Sequence, residues 1–130
     1  MNKAIWAIAV VFGLGLLAAD AFAEARDPKA LVGDWDGYWT RQEAYRQARG
    51  QYRLTIKSVD DAGRVVARIE SEGAELGRTP IPAVNADVTG RLEGNRLVLG
   101  RDELTVDGAR MSGERRTPSN PMKIELTKKR

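Results

Sequence analysis

Three aromatic rings and four guanidinium groups fall within fifteen residues of one another: Trp39, Tyr45 and Tyr52 lie among Arg41, Arg46, Arg49 and Arg53. Flat rings can stack on a sugar, an aromatic ligand or an acyl chain. The planar donor fork of an arginine matches carboxylate, sulfate or phosphate. Together they suit the binding of a small amphipathic or anionic molecule, and Trp39, Tyr45, Arg49 and Tyr52 are the candidates that would line its site, with Arg115 arriving from later in the chain. The plainer alternative is core packing for the rings and a solvated face for the arginines.

Bond-breaking chemistry has few residues to work with. The chain contains neither His nor Cys, so it lacks the usual general base near neutral pH, the commonest metal ligand and any thiolate. Ser58 and Ser71 have no His to activate them and no nucleophile-elbow motif around them. Glu70, Glu72, Asp87 and Asp102 could in principle meet as the carboxylate pair of a glycosidase, but their mostly outward parity argues against a shared cleft. Asp34-x-Asp36-Gly37 begins like a calcium loop, yet Tyr45 stands where such a loop needs its final Glu. The expectation is therefore a non-enzyme with no metal and no cofactor.

The elements that must position these residues are strands. From Trp35 onward, short runs alternate apolar and polar residues between turn signals, as in an antiparallel barrel or sandwich. Eight strands are expected. Trp35, Gly37 and Trp39 form the inward face of the first, and Tyr52, Leu54, Ile56 and Ser58 that of the second. Val65, Ala67 and Ile69 follow, then Ala86, Val88, Gly90 and Leu92, then the run Arg96 to Leu99. Leu104 and Val106 turn through Asp107-Gly108 into Ala109, Met111 and Gly113, and Met122, Ile124 and Leu126 close the sheet.

One helix is expected between the first two strands. Thr40-x-x-Glu43 has the form of a capping box, Gly50 can end the segment, and Ala44, Tyr45 and Ala48 would share a face over one mouth of the barrel. An extended alternative places Glu43 and Tyr45 on one face. The inward positions Gly37, Ser58, Ala67, Ser71, Ala86, Gly90 and Gly113 are small, which fits either a ligand cavity or the taper of a filled small barrel.

Residues 1–23 read as a secretory signal peptide: Lys3, an apolar run from Ala4 to Ala19, and Ala21-Phe22-Ala23 before Glu24. The apolar run is shorter than the roughly 20 residues of a spanning helix. Cleavage after Ala23 leaves a lead-in at 24–32 and one barrel domain at 33–130, secreted or periplasmic, without a membrane span. That product carries a net charge of +3, distributed as −2 over 24–39, +4 over 40–57, −4 over 58–108 and +5 over 109–130. Basic segments of this kind can meet anionic lipid, polysaccharide or acidic protein, and export makes nucleic acid an unlikely partner.

Gly33-Asp34-Trp35, opening the first strand of an eight-stranded meander, resembles the G-x-W of the calycin superfamily, which includes lipocalins and avidins. The resemblance implies an up-and-down barrel whose first-strand Trp, here Trp35, plugs the closed end beneath a basic side chain from a late strand, Arg115 or Lys128. It covers the first strand only. In size and opening strand the chain is also similar to bacterial periplasmic inhibitors of metalloproteases. Two functions follow as expectations: an exported, non-catalytic, lipocalin-like protein binding a small amphipathic or anionic ligand, or a protein-binding module such as an enzyme inhibitor or envelope assembly factor, acting through an exposed, loose Pro-containing loop from Glu72 to Val84.

Overall fold

The computed structural model describes residues 27–129 apart from Ala44, Gly77, Arg78, Pro118 and Ser119. Residues 1–23, expected to be a signal peptide, and 24–26 of the expected lead-in lie outside them. A single 3-10 turn, Pro28–Leu31, precedes ten strands: β1 Gly33–Glu43, β2 Arg46–Val59, β3 Arg64–Ser71, β4 Ala74–Leu76, β5 Thr79–Ile81, β6 Val84–Glu93, β7 Arg96–Leu99, β8 Asp102–Asp107, β9 Arg110–Arg115 and β10 Met122–Lys128. Eight of them close an antiparallel up-and-down barrel in the order β9-β10-β1-β2-β3-β6-β7-β8, while β4 and β5 form a separate hairpin. The expected eight strands are therefore all present.

Closure follows from the alternation. Inward residues Trp35, Trp39, Tyr52, Leu54, Ile56, Val65, Leu97, Leu99, Leu104, Met111, Met122 and Ile124 are each at most 1% exposed, and together they fill the middle of the barrel. Outward residues are charged and paired: Arg53 with Asp36 and Glu70, Arg68 with Asp87 and Lys57 with Asp87 across strands, and Arg68 with Glu70 within β3. An apolar inside and a charged outside is the reverse of a transmembrane barrel. No helix among the described residues is long and apolar enough to cross a membrane.

The strands must bend sharply to close so narrow a barrel. A Cβ on Gly37 would run into the backbone carbonyl of Glu125 on β10, and one on Gly113 into that of Glu103 on β8. These glycines of the inward row thus let neighbouring strands approach, rather than opening a cavity.

Three expectations are corrected. Thr40 to Gly50 is not a helix: β1 and β2 pair without interruption from Gly33↔Ile56 to Glu43↔Arg46. The local capping signals span too few residues to nucleate a helix alone, whereas the extended hairpin buries Trp39, Arg41, Ala48 and Tyr52 on one face. Gly50 is small because the Trp39 indole lies against it. Ser58 is exposed and Val59 is buried, because a bulge between Ile56 and Ser58 shifts the register and turns the end of β2 over. Finally, the stretch from Glu72 to Val84 is not a loose loop. It contains the β4–β5 hairpin, held to the core by buried Ile81 and part-buried Ala74.

The two ends of the barrel differ. At one, the 3-10 turn inserts Leu31, whose carbonyl accepts the Trp35 Nε1–H at 2.9 Å. Lys128 is the cross-strand partner of Trp35 and donates from Nζ to the Ala30 carbonyl at 2.5 Å. Of the two basic residues considered for that end, Lys128 occupies it. Arg115 lies at the opposite end, which is open.

Candidate functional site

The open mouth is built where β8, β9 and β10 end and two hairpins extend past them. Asp102 begins β8 and is paired in register with Arg115, the last residue of β9, which in turn faces Met122 at the start of β10. Asp102 has the same inward parity as Leu104 and Val106 and is 2% exposed. A carboxylate in that position needs partners, and it has two. Arg115 donates Nε to Oδ1 at 2.7 Å and Nη2 to Oδ2 at 3.0 Å, and the Tyr52 hydroxyl donates to Oδ2 at 2.5 Å. The Arg115 guanidinium also sits 5.9 Å from the centre of the Tyr52 ring.

This network sets the protonation of its members. Burial pushes the Tyr52 phenol far above its ordinary value, and the adjacent Asp102 charge and hydrogen bond push it further. The phenol stays a neutral donor. Burial works against the Arg115 cation, but the hydrogen bonds and charge of Asp102 outweigh it and raise its pKa. Asp102 thus holds a cation and a phenol in fixed orientation at the inner edge of the mouth.

Above the network lies a cleft of about 630 Å³. Ile69, Val88, Leu99 and Met122 supply apolar barrel wall, and Pro80, Ile81 and Pro82 of the β5 side of the small hairpin supply a second apolar wall. The charged groups of the lining are Arg41, Arg101, Arg115 and Asp102, so cations outnumber carboxylates there. Arg41 is 6% exposed and paired with Glu43 at 2.7 Å. Arg115 binds Asp102 through the Nε and Nη2 edge. A guanidinium used on that edge retains further N–H donors, and Arg115 is part of the cleft lining.

The residues nominated from sequence separate into two groups. Tyr52 and Arg115 come together through Asp102. Trp39, Tyr45 and Arg49 do not join them. Trp39 is fully buried and donates Nε1–H to the Glu72 carbonyl at 2.9 Å, fastening the start of the β4–β5 segment. Tyr45 projects into solvent beyond the β1–β2 strands, and Arg49 is on the outer surface with its guanidinium 4.0 Å from the centre of the Tyr38 ring. Arg49 is outside because the segment is a strand rather than a helix.

Three charged residues of the mouth, Arg41, Arg101 and Asp102, were not singled out as ligand-binding from sequence. Asp102 shares the parity of Leu104 and Val106, a readable signal for an inward carboxylate, and is the exception among four acids that are mostly outward. The other three are outside: Glu70 and Asp87 are in surface ion pairs, and Glu72 accepts the Gln51 amide. Arg41 shares the parity of Trp39, a signal that reading the segment as a helix conceals. Asp34 and Asp36 face outward, the first accepting from Thr55 Oγ1 and the second paired with Arg53 and Lys129. Among the described residues no group of three or more potential metal ligands converges.

No protein-family model matches the chain, and no curated protein matches it.

Proposed function

We propose that the protein is an exported carrier or sensor of a small amphipathic anion, which seats its charged head against Arg115 and its apolar part between the Met122 and Ile81 walls of the mouth. The observation that carries this reading is the Arg115 guanidinium: Asp102, itself bonded by the Tyr52 hydroxyl, holds its Nε and Nη2, and Arg115 lines a cleft whose walls are apolar. A surplus of cations over carboxylates in the lining favours an anion, and a planar fork favours a carboxylate in particular. The filled barrel below leaves the mouth as the place of binding. No catalytic step is assigned.

Export is the reading supported by the signal-peptide pattern of residues 1–23. A calycin-like relationship is supported by the G-x-W of β1, the closed eight-stranded meander and the Lys128 to Trp35 pairing at the plugged end. The alternative of a protein-binding module would use the same segment, whose Pro80 and Pro82 are exposed.

The test is titration with a dansyl-labelled fatty acid, with dodecanoate and the uncharged dodecanol as competitors. Dodecanoate should displace the probe and dodecanol should do so at least about tenfold less well, because the alcohol cannot satisfy the fork. Arg115→Gln should weaken dodecanoate about tenfold or more, while Tyr45→Ala should leave it unchanged. Equal competition by acid and alcohol, or an Arg115→Gln protein with undiminished affinity, would remove the site.

A further inference from the structure

The barrel's closure gathers charge in a way the linear order conceals. Strands β9, β10, β1 and β2 are contiguous, so the two basic stretches of the sequence become one half of the barrel. Residues 33–57 and 109–129 carry eleven Lys or Arg against five Asp or Glu, whereas residues 58–108, which supply β3 to β8, carry six against ten. Within the basic half, Arg46, Arg49, Arg116 and Lys123 are exposed at the end that bears the mouth, and none makes an ion pair with a described residue. Lys123 and Arg49 flank Thr40 on its two neighbouring strands, so these two cations stand side by side across β1. Tyr45, fully exposed, lies beside Arg46 where the β1–β2 hairpin extends beyond the barrel.

We infer that this rim docks on an anionic phospholipid surface, with Arg46, Arg49, Arg116 and Lys123 against the headgroups and Tyr45 in the interfacial layer. Clustered cations near an anionic leaflet are each worth about a factor of five in partitioning. They alone would suit any polyanion. Tyr45 favours lipid, because an amphipathic ring left wholly in water beside cations matches the interface between headgroups and chains. Docked this way, the apolar cleft opens at the same end as the bilayer, from which an amphipathic ligand could pass without crossing water. The docking itself does not depend on the ligand assigned to the mouth.

The experiment is vesicle co-sedimentation of the purified chain, its N-terminus defined by mass spectrometry, with phosphatidylcholine vesicles containing or lacking one-quarter phosphatidylglycerol. Binding should require phosphatidylglycerol and fall steeply with salt. The triple variant Arg46→Gln, Arg49→Gln, Lys123→Gln, with the same N-terminus, should lose roughly a hundredfold in partitioning and keep its thermal unfolding midpoint and its affinity for the dansyl-labelled fatty acid. In Tyr45→Trp, emission should shift to the blue only with the anionic vesicles. Equal binding to both vesicle types, an unaffected triple variant, or retention on an acidic polysaccharide without vesicle binding would each overturn the proposal. Loss of fatty-acid binding with vesicle binding intact would overturn the mouth site instead.

Discussion

Asp102 has opposite consequences for stability and for binding, and the two can be separated. Removing the carboxylate leaves the Arg115 cation inside the barrel end without its counter-charge, which costs about 3 kcal/mol or more when a buried pair is broken. Asp102→Ala should therefore lower the urea midpoint strongly. Replacing both partners, as in Asp102→Leu with Arg115→Met, should restore most of that stability, because well-packed apolar residues replace a buried ion pair at little net loss. The double variant should nevertheless fail to bind dodecanoate. A folded double variant with full affinity would mean that the pair is only structural. Tyr52 gives a second residue-scale outcome. Its pKa is raised in the folded state above the ordinary value of 10.0, so the folded state keeps the phenolic proton while the unfolded state releases it. The stabilisation is complete below pH 10 and declines above it, with a slope of about 1.4 kcal/mol per pH unit for one proton. Urea unfolding between pH 9 and 11 should show this decline, and Tyr52→Phe should make it shallower by that one proton.

At the scale of elements, the strand pattern was legible and the β1–β2 connection was not. Trp35, Gly37 and Trp39 show the inward row plainly, as do Leu104 and Val106 or Met122 and Ile124, since a period of two is a direct consequence of the pleat. Between Thr40 and Gly50, short-range helix signals competed with a pairing that only the fold supplies, and the pairing won by burying Trp39, Ala48 and Tyr52. The bulge at Ile56/Ser58 was invisible for the same reason: nothing in Lys57-Ser58-Val59 announces it until Val65 and Val66 are set opposite. Tyr52 and Arg115 could be nominated by chemical type, but Asp102 required the parity of its strand to be applied to a charged residue. The close strand approach yields a prediction at this scale. Gly37→Ala must displace the Glu125 carbonyl and should cost about 3 kcal/mol. Gly94, in the β6–β7 turn, has open space around it and only a φ of +63 to penalise a side chain, so Gly94→Ala should cost about 1 kcal/mol. Chemical denaturation of both variants checks the order, and equal losses would contradict the account of Gly37 as a contact point between β1 and β10.

Across the whole molecule, closure makes the barrel one cooperative unit and leaves the β4–β5 hairpin outside it. Each of the eight barrel strands has two ladder neighbours, so none can leave without exposing two others, whereas β4 and β5 pair only with each other. Among the described residues their ties to the rest are the Trp39 indole bond to the Glu72 carbonyl, the two bonds between Gln51 and Glu72, the burial of Ile81 and the packing of Ala74 against the core. Segments with so few ties open locally at far lower free energy than the core. Native-state hydrogen exchange should therefore find the amides of Ala74, Glu75, Leu76, Thr79 and Ile81 exchanging at least about a hundredfold faster than those of Leu54 and Ile69. Because Pro80, Ile81 and Pro82 form one wall of the cleft, a molecule seated there must hold the hairpin down. Saturating dodecanoate at a hundred times its dissociation constant should slow exchange in the hairpin by up to about a hundredfold, with little change in the central strands beyond the gain in global stability. Protection of the core without protection of the hairpin would place the ligand elsewhere than the mouth.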